Sequence, residues 1–366
     1  MKKITILSFF ALFVSSALGY NTNQAQFGST YSSDVNFEDL QFSETDNNSN
    51  IINASDLLKL EASFNINNAS SAGAVVTLDN GKENTVSYIV LGNYSHLNIS
   101  GENTVLNVTQ KGNSMGICAW ENSMVTVENG GVLNMNGTGI AGKQNHVEDT
   151  AFLVVNKGGV VNLGSNTKYE NAGAKSFANI NGGKITSQGT LHLDTNISFK
   201  FQNSANVEFE TLKMAWSSAL EIIGSGNSIK ISGNFETHNW SYDRYVSESW
   251  TTLMPGITFV ADADGFSTID IFGKLSAFNG FLTLDFSNLE KNGEWILISS
   301  SQYDNSIDDL LLEGRYSITG IEESMVELLY DEGKLSVSVS GIPEPSTYAA
   351  IFGVSALLFV AYRRRK

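Results

Sequence analysis

Short runs of alternating apolar and polar residues recur through the middle of the chain, each broken by glycine or asparagine. Residues 124–137 read MVTVENGGVLNMNG and residues 152–165 read FLVVNKGGVVNLGS, which align without a gap at an offset of 28 residues. Upstream, HLNISGENTVLNVTQ (96–110) fits the same frame with one extra residue, and FANINGGKITSQG (177–189) and LEIIGSGNSIKISGN (220–234) fit it more loosely downstream. A period of two predicts strands, and the pairs Gly130–Gly131, Gly158–Gly159 and Gly182–Gly183 predict tight turns between them. Each unit is a strand, a turn and a second strand, with Val125 and Val127 on one apolar face and Leu133 and Met135 on the next. So short an alternation cannot bury its apolar face alone, so the units must stack and seal one another. The expectation is an all-β chain with a parallel β-helix (β-solenoid) over residues 72–240. Six or seven rungs at about 4.8 Å make a rod roughly 30 Å long. Val127, Leu133, Val155 and Val161 are expected to point inward in stacked registers.

The pattern changes on both sides of this region. Residues 20–71 are rich in Asn and Ser and read as a leader ending in a cap over the first rung. Residues 241–341 carry larger apolar groups in FLTLDFSNL and EWILIS, then an acidic stretch with Asp308, Asp309, Glu322, Glu323, Glu327, Asp331 and Glu332, then KLSVSVS. They read as a small antiparallel β module closing the open edge that every stacked sheet has.

Composition sharpens the class. Of 366 residues 42% are apolar, 33 are Gly, 38 are Asn and only 3 are Pro, which is turn chemistry without proline and favours many short strands over helices. The formal charge is -16; without residues 1–19 and 343–366 the body keeps 37 acids against 16 bases, a net of -21. Such an excess of acid argues against nucleic acid or an anionic membrane surface as partner of the body.

The two ends read as addresses. Lys2 and Lys3, an apolar run from Ile4 to Val14, and Ala17, Leu18 and Gly19 form a signal peptide over residues 1–19 with cleavage after Gly19. The single cysteine, Cys118, lies far from that site, so no thiol is placed for lipid attachment, and it reads as a small buried apolar side chain. Residues 342–366 read IPEPSTYAAIFGVSALLFVAYRRRK. The apolar stretch from Tyr348 to Tyr362 is marginal for a hydrocarbon layer of about 30 Å and predicts a single C-terminal transmembrane helix in the precursor, with Arg363, Arg364, Arg365 and Lys366 held in the cytoplasm. Pro343 and Pro345 keep the segment ahead of it extended, a form that a protease cleft can hold.

Pro343, Glu344 and Pro345, the apolar span and the four terminal bases, in that order, resemble the PEP-CTERM sorting signal. The resemblance implies recognition and cleavage by an exosortase, an integral-membrane transpeptidase-like enzyme of the inner membrane, and covers residues 342–366. The repeat region is similar in texture to the passenger domains of autotransporters and other bacterial surface β-helices. It departs from autotransporters at the C-terminus, where no series of amphipathic membrane strands closes the chain.

Catalytic chemistry is sparse. There is no arginine before Arg244, whereas lyases acting on uronates use Arg or Lys, and glycosidases need two carboxylates about 5 to 9.5 Å apart. Asp79, Asp149 and Asp194 fall at different places in the repeat frame, and Glu102, Glu121 and Glu128 at turns or strand exits. His96, His146, His192 and His238 show no metal-ligand pairing. ADADGFSTID (261–270) begins like a calcium loop with Asp262, Asp264 and Gly265 but lacks the later ligands, and reads as a β-turn with weak calcium binding left open. One cluster stands out: Trp240, Tyr242, Tyr245 and Trp250 beside Asp243 and Arg244. Planar rings beside polar groups suit a sugar-stacking platform and equally an aromatic plug between solenoid and module.

The expected protein is therefore an exported, non-enzymatic cell-surface or extracellular-matrix rod that needs no cofactor or metal. It starts in the inner membrane and passes to the envelope surface or beyond. Its partners are the exosortase and, through the body, an exopolysaccharide or other surface proteins. The alternatives are a carbohydrate-binding adhesin using the aromatic platform and a β-helix polysaccharide lyase or hydrolase.

Overall fold

The computed structural model describes residues 75–79, 81–86, 88–91, 96–109, 116–119, 123–135, 140–142, 150–165, 167–169, 176–194, 196–215, 217–238, 244–246, 249–251 and 254–342, with shorter pieces at 25–26, 35–37, 42–43, 63–66, 353–355, 357 and 362–363. The chain winds as a parallel β-solenoid. Its first face is an 11-stranded sheet that begins Val35–Phe37, Val75–Leu78, His96–Ile99, Met124–Val127, Thr150–Asn156 and continues Ser176–Asn181, Ile197–Gln202, Ala219–Ile223, Gly256–Val260, Phe281–Asp285, Tyr316–Thr319. From Val75–Leu78 onward, between successive strands of this face the chain passes through a second face, which includes Glu83–Val86, Val105–Val108, Val132–Met135 and Val160–Leu163. A third, shorter sheet holds Ser63–Ile66, Tyr88–Leu91, Ile117–Ala119 and Ile140–Gly142, all parallel. Farther along, second-face strands turn the corner unbroken: Lys184–Leu193 pairs first with Val160–Leu163 and then with Thr167–Tyr169.

The 28-residue offset is the rung length at the centre. Val125 sits beside Leu153, Val127 beside Val155, and Leu133 beside Val161. Val127, Leu133, Val155 and Val161 are all 0% exposed, as the alternation predicts. In-register parallel pairing stacks like positions, so one inward column runs Leu97, Val125, Leu153, Ala178, Phe199, Leu220, Ile257, Leu282 through eight strands of the first face. Each buried Leu, Val or Phe contributes roughly 1.5–3 kcal/mol, and neighbouring rungs share that apolar contact.

The paired glycines at the corner between the first and second faces do different jobs. Gly130, Gly158 and Gly182 have φ of 92°, 83° and 74°, the left-handed conformation that glycine adopts without penalty. Gly131, Gly159 and Gly183 sit against the preceding rung: a Cβ on Gly131 would lie 2.8 Å from the Ile99 carbonyl carbon, and one on Gly159 2.5 Å from that of Val127. The pair thus turns the chain and lets two rungs approach.

A bulge between Ala151 and Leu153 lets Phe152 and Leu153 both point inward, each 0% exposed. From there the interior becomes aromatic. Phe152 lies 5.7 Å from Tyr169, Tyr169 5.3 Å from Phe199, and Phe199 6.4 Å from Phe209, ring centroid to ring centroid.

Parallel stacking does not stop at residue 240. Gly256–Val260, Phe281–Asp285 and Tyr316–Thr319 extend the first face, and Ile269–Ser276 and Gly293–Tyr303 extend the second. Among the described residues antiparallel pairing closes the second face through Lys334–Val339 and Val326–Asp331, so much of the 241–341 expected from sequence to be antiparallel is parallel stack. The short helix α1, Ser306–Leu312, buries Ile307 and Leu310 against the last rungs. No helix among the described residues is long and apolar enough to cross a membrane. Of the span read between Tyr348 and Tyr362, only 353–355, 357 and 362 are described, and they are helical. The signal peptide, most of the 20–71 leader, Pro343, Glu344, Pro345, Arg364, Arg365 and Lys366 lie outside the described residues.

Candidate functional site

Stacking in register puts like residues in line on the outside of the rod as well. Asn107, Asn134, Asn162 and Thr186 occupy one row of the second face. Asn134 Nδ2 donates to Asn107 Oδ1, Asn162 Nδ2 to Asn134 Oδ1, and Thr186 Oγ1 to Asn162 Oδ1, each at 2.8 Å, while Asn107 Nδ2 donates to Glu83 Oε1 at the same distance. A second ladder follows the glycine corner: Asn156 Nδ2 donates to Glu128 Oε2 (2.8 Å), Asn181 Nδ2 to Asn156 Oδ1 (3.2 Å) and Asn203 Nδ2 to Asn181 Oδ1 (2.6 Å). An amide carries both donor and acceptor, so it can hand a bond from rung to rung where a carboxylate cannot. Toward the C-terminal end ion pairs take over, Lys184 with Glu208 at 3.1 Å and Lys213 with Glu236 at 3.2 Å. Such half-buried surface pairs stabilise by about 1 kcal/mol. The ladders give a structural use to six asparagines, and the signal of the first in the sequence is the recurrent V-x-N of VLNV, VLNM and VVNL.

The carboxylates weighed as catalytic candidates are spread over the corners. Asp79, Glu102 and Glu128 lie at the first-to-second-face corner of three successive rungs, where Glu128 already accepts from Asn156, and Asp194 lies at the entry to the next first-face strand. Asp149 and Glu121 are outside the described residues. His96 is on the first face and His192 on the second, His238 ends the strand Phe235–His238, and His146 is not among the described residues. No group of three or more His, Cys, Asp or Glu among the described residues is placed to hold a metal ion. Cys118 lies in the strand Ile117–Ala119, in register with Val90 and Ala141.

The segment resembling the start of a calcium loop is a turn. Asp262 and Gly265 form a bridge, and Asp262 accepts bonds from the Ser225 main chain (2.7 Å) and hydroxyl (2.9 Å) and from the main-chain N–H groups of Asp264 (2.8 Å) and Gly265 (2.9 Å). Burial disfavours its charge, but these bonds outweigh burial and hold the carboxyl below the usual range. Asp264 is paired with Lys291 Nζ at 2.8 Å.

Of the aromatic cluster, Tyr245 and Trp250 are cross-strand partners in a small antiparallel hairpin, Arg244–Val246 with Ser249–Thr251. Trp240 and Tyr242 lie outside the described residues. The hairpin belongs to an enlarged rung, for Ile222 pairs with Phe259, 37 residues on, against 21 in the rung before it.

One contact that sequence reasoning does not reach lies where the folded body hands over to the C-terminal segment. Gly341 takes a φ of 92°, Ser340 N–H donates to the Met325 carbonyl (3.0 Å), and the Asn292 side chain holds both main-chain groups of Ile342. Ile342 N–H donates to Asn292 Oδ1 at 2.8 Å and Asn292 Nδ2 donates to the Ile342 carbonyl at 3.0 Å. The fold is thus a β-solenoid whose relationships rest on its own geometry, for no family model, no curated protein and no solved structure matches the chain.

Proposed function

We propose that the chain is an exported, non-enzymatic rod of the cell surface or extracellular matrix. On this reading it is held in the inner membrane as a precursor, sorted by an exosortase through Pro343, Glu344 and Pro345, and released toward an exopolysaccharide layer. The observation that best supports it is the combination of a continuous stacked core with outer rows satisfied largely by short side chains bonding rung to rung, ending at Ile342 directly ahead of that triplet. Such a body presents a long, stiff, chemically quiet surface, which suits display and spacing better than turnover. The test is intact-mass measurement on protein recovered from the host envelope. A mature chain beginning at Tyr20 and lacking Tyr348–Tyr362 is expected, and a mass that retains the four terminal bases sinks the reading.

A second reading has its own observation. The hairpin that pairs Tyr245 with Trp250 lies in a rung enlarged to 37 residues, an excursion that the stacked core does not need. As a carbohydrate-binding adhesin, the protein would lose neutral-glycan retention in Trp250→Ala, with an unchanged melting temperature. A lower melting temperature with no glycan retained by the wild type would make the rings a structural plug.

A further inference from the structure

We propose that Asn292 is a latch that governs access to the segment following Ile342. Its amide satisfies both the N–H and the C=O of one residue, as a neighbouring strand would, and it lies 50 residues away in the turn that enters the last long second-face strand. That turn is itself fixed to the preceding rung. Lys291 Nζ is 2.8 Å from Asp264 Oδ1, Trp295 Nε1 donates to the Asp264 carbonyl at 3.0 Å, and the Trp295 ring lies 5.9 Å from Phe266. The Ile342 side chain packs partly buried against the core, and Ser340 is tied to Met325. The chain is thus secured at residues 340 and 342, and these holds bracket the left-handed Gly341.

The consequence follows from length. Residues 343–347 are the only ones between the latch and the apolar stretch that begins at Tyr348, and fully extended they span about 17 Å. A protease cleft holds several extended residues on each side of the bond it cuts. To seat a bond near Pro343–Pro345 it must take residues 340–342 from the body, which requires the two Asn292 bonds to open. Asn292 is then a positioning residue for processing, and its biological weight rests on the sorting reading above.

The experiment uses the full chain with Asn292→Ala and Asn292→Asp, the latter keeping the acceptor for Ile342 N–H while losing the donor. Limited digestion with proteinase K, with cuts mapped by mass, is expected to cleave within 340–347 about 10-fold faster in the Ala variant. The Asp variant should fall between it and the wild type, and both should keep the wild-type melting temperature. In the host, loss of the C-terminal segment should accelerate in the same order. Equal rates within 340–347 for all three chains overturn the latch, as does a first cut elsewhere if the melting temperature falls. If Asn292→Ala speeds the digestion while wild-type protein from the host keeps its C-terminal segment, the latch stands and the sorting reading fails.

Discussion

Replacing Gly159 by alanine tests the rung contact directly. A Cβ there would lie 2.5 Å from the Val127 carbonyl carbon, against the 3.4 Å or more of ordinary contact, so the two rungs must part locally by about 1 Å. Three main-chain bonds join the rungs at this corner: Val160 N–H to the Gly131 carbonyl at 3.0 Å, Gly130 N–H to that of Gly158 at 3.1 Å, and Asn129 N–H to that of Lys157 at 3.3 Å. Stretched by about 1 Å, most of them pass beyond hydrogen-bond reach. At about 1 kcal/mol each, with some strain, the loss comes to roughly 2–4 kcal/mol. Two controls separate space from backbone conformation. Gly158 (φ 83°) has its nearest neighbour at 3.3 Å, and Gly314 (φ 64°) has none within 4 Å, so alanine at either costs mainly the left-handed penalty of about 1–2 kcal/mol. Asparagine at position 158 should cost less than alanine, as Asn129 already holds a φ of 52° at this corner. Urea unfolding followed by circular dichroism gives the midpoints, with an unchanged slope required for the comparison. If Gly159→Ala proves no more damaging than Gly158→Ala, close rung approach is not what the second glycine serves.

Three further outcomes follow. Leu133→Ala should cost about 2–5 kcal/mol by the same unfolding assay, because Leu133 is fully buried between in-register neighbours. Asn134→Asp removes the donor to Asn107 and sets two acceptors facing each other; a loss of about 1–2 kcal/mol at pH 7 should shrink in acid as the carboxyl regains a proton to donate. Asp262, Asp285 and Asp304 all ionise below their ordinary 3.8, Asp285 chiefly through Ser287, the other two because bonds from neighbouring groups outweigh burial. Their stabilisation is present above about pH 4 and is lost as pH falls through the lowered values, so amide exchange in acid should open the rungs after Ile223 before those around Val127, and Asp262→Asn should blunt that difference.

What could be read from the sequence was set by how regular the corners are. The rungs carrying Val125, Val127, Leu133 and Met135 share one turn with the next rung, and there both the offset and the inward residues are legible. Later rungs shorten, as Phe201 pairs with Ile180 and Ile222 only 21 residues to either side, because strands such as Asn206–Ala215 round the corner without a glycine to mark it. The 37-residue rung breaks the period, so Gly256–Val260 and Phe281–Asp285 read as the start of a separate antiparallel unit although they continue the parallel stack. The Asn134 ladder was visible as a repeated V-x-N whose meaning needed the register. The pairing of Asn292 with Ile342 had no signal at all, since two residues 50 apart meet only through the closing strands.

The unequal rung lengths also give the rod a mechanical signature. Its inter-rung hydrogen bonds run along the long axis, so a pull on its ends loads them in tension rather than shear, and rungs should detach one after another from an end. Each detachment releases the chain of one rung. At about 3.4 Å per residue a 21-residue rung such as that from Phe201 to Ile222 yields roughly 70 Å, and the 37-residue rung from Ile222 to Phe259 roughly 125 Å. Were the rod tethered at one end and loaded at the other, it would lengthen in uneven steps, a long one marking the hairpin, and absorb strain while its remaining rungs stayed folded.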